Sequence, residues 1–385
     1  MGLGLAQACA AAGFEVALCG REAASARDRF DDALRRQVAR GRLSKVEAAT
    51  IRARVSAATV EGLADCGLVI ECIAEDRAHK VALLAAIERA APAALLATNT
   101  SGLSIARLGE ALSDPSRFLG LHFFSPAERM PLVEVVRGPL TSAATLTAAL
   151  AFARALGKRP VVVRDGPGFF ATGVFAAYLD EAVAMVVEGV AVEAIDAAAR
   201  ANGRALGPLA VLDETGIALN LAQARQARAD ELAPRHGRPL AEAALSVLVE
   251  AGRRGRRDGG GFYDWPARTP WPGLAADFPL SPQPPDRETI RLRLFAAEAG
   301  EALRRLEEGV VASANDADAA SVLGLGYPGG GVLRAVEDFG LGAFVGLGDR
   351  LAAAHGERFA PSSWMRALAA RDEGLAAYRE ARPCG

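Results

Sequence analysis

The amino-acid sequence predicts an α/β domain built on a parallel sheet, followed by two duplicated all-α domains. Three observations carry this expectation. Over the first 163 residues, short apolar runs alternate with helix-length stretches, the pattern of strands joined by crossover helices. After Asp165-Gly166-Pro167-Gly168, helical periodicity takes over, and no strand-like run interrupts it from Phe169 to about Ala251. Finally, Glu181–Ala199 (EAVAMVVEGVAVEAIDAAA) matches Glu301–Ala319 (EALRRLEEGVVASANDADA), with Glu-Gly-Val and a later aspartate in gap-free register. Each segment is followed by a Gly-Pro or Pro-Gly turn and an acidic element ending in glycine, Asp213–Gly216 and Glu337–Gly340.

Taken in order, the expected strands are Glu15–Cys19, Leu68–Ile73, Leu95–Thr98, Leu119–His122, Val133–Val136 and Pro160–Val163. Helix-length stretches such as Ala23–Arg40 and Arg77–Ala90 separate the early ones. Between Leu119–His122 and Val133–Val136 there is no room for a helix, so these two strands form a hairpin-type addition to the sheet. The α/β domain then spans 1–164 and the first helical domain 165–268. Proline fixes φ and removes donors in 269–287, which reads as a linker to the second helical domain, 288–385.

Composition narrows the function. At about 150 residues per domain, 385 residues suggest two to three domains. With 51% hydrophobic residues, 23% charged residues and a net charge of −2, disorder is excluded and no basic excess favours nucleic acid. The five cysteines (Cys9, Cys19, Cys66, Cys72, Cys384) are odd in number and irregularly spaced. They form neither a disulfide framework nor a metal site, and fit a reducing cytoplasm. No apolar run reaches the ~18 residues of a membrane span. MGLGLAQACAAAG lacks the basic start of a signal peptide.

Met1-Gly2-Leu3-Gly4 opens a helix directly, and a strand follows about fifteen residues later. In a dinucleotide-binding (Rossmann-type) βαβ unit, a strand runs into G-x-G-x-x-G, whose last glycine lets the helix pack on the sheet. Gly2 matches that last glycine, while the first strand and the first two glycines are missing. Losing a central strand would strand backbone groups of both its neighbours. The expectation is therefore a longer reading frame, or a fragment of a multifunctional protein. At the end of the next strand, Gly20 and Arg21 replace the acidic residue that binds a ribose 2′-hydroxyl. That pair admits a 2′-phosphate, which leaves NAD and NADP both open. Further on, His122 ends an apolar strand and Glu134 lies inside the next. A hairpin would set the carboxylate against the imidazole and fix its tautomer for general acid/base work.

Four segments resemble the 3-hydroxyacyl-CoA dehydrogenase family: Asn99-Thr100-Ser101, GLHFFSPAERMPLVEVV (Gly120–Val136), DGPGFF (Asp165–Phe170) and GRRGRRDGGGFYDW (Gly252–Trp265). With its duplicated helical region, the chain is similar to the dehydrogenase half of bacterial fatty-acid oxidation complex alpha subunits and peroxisomal multifunctional enzymes. The resemblance implies NAD(P)-dependent interconversion of 3-hydroxyacyl-CoA and 3-oxoacyl-CoA. His122 would be the acid/base, Glu134 its orienting partner, and Ser101 a donor to the reacting oxygen. Glu75 and Lys80 match the family's cofactor-contacting pair, with Gly2, Gly20, Arg21, Asn99, Ser101 and Ser125 on the same cofactor side. Thr172 stands where the family has an active-site asparagine, and its hydroxyl offers one donor and a shorter reach. The implied partners are an acyl-CoA substrate and a hydratase or thiolase. The alternative is a catalytically impaired homologue that binds acyl-CoA or a subunit.

Overall fold

Strand runs and their intervening helices build the first of two units, Met1–Phe169. The computed structural model describes residues 1–20, 23–229, 239–371 and 374–380. In chain order the first unit contains α1 (Gly2–Ala11), β1 (Val16–Cys19), α2 (Ala23–Ala39), α3 (Lys45–Ala53), β2 (Val55–Ala58), β3 (Leu68–Glu71), α4 (Arg77–Ala90) and β4 (Leu95–Thr98). It continues with α5 (Ile105–Gly109), β5 (Phe118–Phe123), β6 (Leu132–Arg137), α6 (Ala143–Ala155) and β7 (Arg159–Arg164). All six expected strands form. Sequence reading missed α3 and β2, because Val-Ser-Ala-Ala has neither the length nor the β-branched run that marks a strand.

The strands fall into two sheets. β1 and β2 pair in parallel, while β3-β4-β5-β6-β7 form a five-stranded sheet. Within the latter only β5 and β6 are antiparallel, as expected for two strands joined without a crossover helix. α1 serves both sheets. Its Leu5 and Cys9 join the core of Ala97, Leu119 and Val133, whereas its Ala6 and Ala10 pack with Phe30, Leu34 and Ile51.

Capping fixes where the helices start. Ser44 and Glu47 make a reciprocal capping box on α3, Asp76 caps α4 and Ser142 caps α6. Asp165, at the end of β7, holds α5 from a distance in sequence. Its carboxylate accepts Ser104 Oγ at 2.9 Å and the Ile105 and Ala106 N–H groups at 3.0 and 2.8 Å.

The second unit, Phe170–Gly385, is mainly helical. It comprises α7 (Ala171–Val187), α8 (Val192–Ala201), α9 (Pro208–Thr215), α10 (Ile217–Ala229) and α11 (Pro239–Glu250), then β8 (Tyr263–Asp264), β9 (Thr269–Pro270) and α12 (Leu274–Asp277). After these come α13 (Arg287–Glu307), α14 (Ala314–Leu325), α15 (Val332–Phe339), α16 (Leu341–His355) and α17 (Ser363–Ala369). Both helical blocks lie in this one unit. The segment read as a linker is partly folded: β9 pairs antiparallel with β8, Trp271 N–H donates to the Phe262 carbonyl at 2.9 Å, and Leu274 is buried. Its prolines cut the elements to two and four residues without preventing them.

The two helical blocks repeat a local arrangement. α7 and α13 both end in Glu-Gly, with Gly189 and Gly309 at φ 84° and 67°. Asp196 accepts the Leu209 and Ala210 N–H groups at 3.0 and 3.2 Å, capping α9 from α8. Asp318 does the same for α15 through Leu333 and Arg334, at 2.7 and 3.1 Å. The gap-free register is thus corrected beyond the glycine. Asp316, aligned with Asp196, lies in the first turn of α14, where its N–H donates to the capping Ser313 Oγ.

Replacing Asp165 by alanine leaves three donors without their carboxylate, and should cost about 1–3 kcal/mol in urea unfolding. A loss below about 0.5 kcal/mol would show that water replaces the cap.

Candidate active site

β5 is buried at every residue, and antiparallel pairing sets His122 directly opposite Glu134 on β6. Side chains opposite one another in a ladder share a face. Here the imidazole Nδ1 lies 2.7 Å from Glu134 Oε2. Glu134 has 0% exposure and His122 7%, so the pair is sheltered from screening water. Rings frame the imidazole, with Phe124 at 4.5 Å and Phe169 at 6.1 Å between centroids. Phe169 is fully buried with φ 50°, a left-handed conformation that is unfavourable for an aromatic residue. Nothing in the sequence beyond the glycine-rich DGPGFF marked that conformation.

The loop joining β5 to β6 is tied down by Lys158. Its Nζ donates to the carbonyls of Ala127 and Met130, both at 2.8 Å. Partial burial pulls the Lys158 ammonium below its usual range. Ser125, in this loop, is exposed and precedes a cis peptide to Pro126.

A second buried constellation gathers where β3 and β4 end. Lys80 is 1% exposed and donates to both oxygens of Glu71 at 2.9 Å and to the Ile73 carbonyl at 3.3 Å. Thr98 Oγ1 donates to Glu71 Oε2 at 2.6 Å. Glu75 Oε2 is 3.4 Å from the same ammonium. Glu75 Oε1 accepts the Thr100 hydroxyl at 2.5 Å, Ser101 N–H at 2.9 Å and Ser101 Oγ at 3.3 Å. Glu75 and Lys80 therefore do come together with Ser101, but Lys80 is enclosed and anchors carboxylates. Sequence reading missed Glu71, Thr98 and Thr100. The available signal was a carboxylate closing an apolar strand, which needs a buried partner. Burial beside Glu71 also pushes the Cys72 thiol up to about 12.

The remaining expected residues are dispersed. Asn99 Oδ1 accepts Phe123 N–H at 2.9 Å, which ties the β4 end to the β5 end. α1 starts at Gly2 with no side chain capping its first turn. A Cβ at Gly2 would sit 3.7 Å from Cys72 Cβ, whereas one at Gly4 would come within 2.6 Å of Glu128 Oε2. Gly20 is exposed after β1, and Arg21 lies outside the described residues. Thr172 is in the first turn of α7, in the second unit. Among the described residues no cluster of three or more His, Cys, Asp or Glu could hold a metal. No helix among them is long and apolar enough to cross a membrane.

Residues 1–166 match the family model "3-hydroxyacyl-CoA dehydrogenase, NAD binding domain", and residues 168–265 match "3-hydroxyacyl-CoA dehydrogenase, C-terminal domain". The (S)-3-hydroxybutyryl-CoA dehydrogenase PaaH1 from Ralstonia eutropha is 32% identical, with a TM-score of 0.64, over 69% of this chain and 95% of its own. This chain belongs to the 3-hydroxyacyl-CoA dehydrogenase family. A 3-hydroxybutyryl-CoA dehydrogenase from Escherichia coli K12 superimposes with a TM-score of 0.83 at 29% identity, covering 96% of both chains. A fatty acid oxidation complex subunit alpha from Shewanella sp. strain ANA-3 is 34% identical over 322 residues, 80% of this chain and 45% of the relative. The chain thus spans about half the length of the curated relatives it matches. Within the dehydrogenase family fold, β3, β4 and β5 run parallel, so Glu71, Thr98 and His122 share the carboxyl edge of the sheet.

Lys80→Met would leave Glu71 buried without its cation and should destabilise the protein by about 3–5 kcal/mol. Adding Glu71→Gln should recover at least half of that loss in the same denaturation measurement. A single substitution costing under about 1 kcal/mol would mean that the buried carboxylate does not depend on the lysine.

Proposed function

We propose that this chain interconverts a 3-hydroxyacyl-CoA and its 3-oxoacyl-CoA. The observation that carries this reading is the sheltered His122–Glu134 pair at the carboxyl edge of a sheet in this family. With Glu134 accepting from Nδ1, the Nε2 lone pair is free to remove a proton from the 3-hydroxyl. In the reverse direction the imidazolium returns that proton to the 3-oxo oxygen, and the buried carboxylate stabilises its charge. Ser101 is our candidate donor to the reacting oxygen, and Thr172 the residue taking the place of the family's asparagine.

NAD fits the first unit on structural grounds. The first turn of α1 lacks a side-chain cap, so its N–H groups suit a phosphate, and the Glu128 carboxylate already lies against Gly4 there. Gly2 would admit the pyrophosphate, while Gly20, Glu75, Asn99, Ser101 and Ser125 are our candidates for the remaining contacts. When bound, NAD supplies the hydride acceptor or donor at C3. Because Gly20 brings no carboxylate to the ribose, NADP is the alternative.

Two architectural readings accompany this. We take the division between β1 and β3 as the place of the strand that precedes the glycine loop in dinucleotide-binding units. Each is the terminal strand of its sheet, and α1 packs on both. We take the two helical blocks as a duplication, supported by the paired glycines and by the caps from Asp196 and Asp318. We also propose a cytoplasmic location, with which the free thiols of Cys9, Cys19, Cys66 and Cys72 are consistent, and a hydratase or thiolase partner, since the curated relatives are named as subunits of a fatty acid oxidation complex.

The test follows NADH and NADPH absorbance with acetoacetyl-CoA. Turnover should fall about 10²–10⁴-fold in His122→Ala, and substantially in Glu134→Gln. Equal turnover in His122→Ala would refute the assignment. No turnover by the unaltered chain, alongside measurable CoA-ester binding, would favour the impaired binding homologue.

A further inference from the structure

We propose that Arg305 is a transposed ion-pair partner: it supplies, from α13, the guanidinium that the repeat places at position 173 of α7, and so sets the first turn that carries Thr172. Glu181 and Glu301, and likewise Gly189 and Gly309, lie 120 positions apart. The same shift relates Gly173 to Arg293 and Met185 to Arg305, with Phe175-Ala176-Ala177 and Phe295-Ala296-Ala297 identical between them. In one half of the repeat, Arg293 reaches across from α13 to α7. Its Nε donates to Glu181 Oε1 at 2.7 Å, and Nη1 and Nη2 donate to Glu188 at 2.6 and 3.0 Å. All three nitrogens of that guanidinium are engaged.

The other half keeps the carboxylate and loses the arginine. Glu301 is 5% exposed and Arg305 1% exposed, yet the residue equivalent to Arg293 is Gly173. Glu301 instead takes its guanidinium from its own helix, with Arg305 Nε donating to Oε1 at 2.7 Å. The contact repeats the Nε-to-Oε1 pairing of the first half, at the same distance. Arg305 also fills the space that a side chain at position 173 would need. A Cβ there would stand 2.7 Å from Arg305 Cζ and 3.1 Å from Nε. The substitute fits less completely than the original, since Arg305 Nη2 is buried without a hydrogen-bond partner, where both terminal nitrogens of Arg293 are satisfied.

Gly173 and Arg305 are therefore a coupled exchange. In this reading the guanidinium stands on α13 instead of the first turn of α7, in the space beside Gly173, the residue after Thr172. Arg305 acts as a positioning residue, and its functional role rests on the proposed role of Thr172 in the dehydrogenase reaction.

The full chain is tested as Gly173→Arg, Arg305→Met and the double variant, which restores the arrangement of the other half, including the methionine at position 185. Melting midpoint is measured together with kcat and KM for acetoacetyl-CoA reduction. Each single variant should lower the midpoint by at least about 4 °C and kcat by roughly tenfold, with little change in KM. The double variant should recover most of both, because residues in one network are not additive. If it melts as low as the two losses summed, or fails to fold, the transposition is wrong. A recovered midpoint with kcat still depressed overturns the positioning role. If no form turns over, the proposed function has failed, and the melting data alone still decide the pairing.

Discussion

Glu134 is ionisable, lies in the middle of a strand and has no exposed surface. Taking a carboxylate out of water costs several kcal/mol unless a partner compensates. The antiparallel β5–β6 ladder provides that partner by register, because His122 is the residue opposite. Slipping the ladder by one residue would turn every side chain to the other face, separating the carboxylate from the imidazole and burying it unpaired. Lys158, clamped on two carbonyls of the connecting loop, helps to hold that register. The proposed catalytic geometry and the stability of this hairpin are thus one constraint.

The same logic recurs at the end of β3. Glu71 is buried because Lys80 and Thr98 satisfy it, while Glu75 collects donors from Thr100 and Ser101. Parallel strands place these ends along one edge, and Asn99 links the β4 end to the β5 backbone next to His122. Two buried, partnered carboxylates therefore sit on a single edge, each making its strand ends costly to displace.

What the sequence makes legible follows from how local the physics is. The six expected strands are short apolar runs, and the His122–Glu134 pairing follows from their spacing and the absence of room for a helix. Local signals were too weak for β2, which owes its existence to pairing with β1. The sequence marks Lys80 as a candidate site residue but not as an enclosed one, because its burial depends on Glu71, nine positions earlier in another element. The proposed repeat shows in the sequence as a motif, but the capping aspartates depart from its gap-free register after Gly309. There the residue that caps the following helix as Asp196 does is Asp318, identified by the backbone donors it accepts rather than by spacing. Phe169 could not be foreseen, since its positive φ is imposed by packing.

The central claim is that Glu134 fixes the protonation pattern of His122, leaving Nε2 able to take a proton. Nitrogen-15 NMR of histidine-labelled protein measures this directly. In the neutral form of the ring, we expect the His122 proton on Nδ1, facing Glu134, with an unprotonated Nε2. We also expect that preference to disappear in Glu134→Leu. A His122 protonated at Nε2, or a pattern unchanged by Glu134→Leu, would contradict the account.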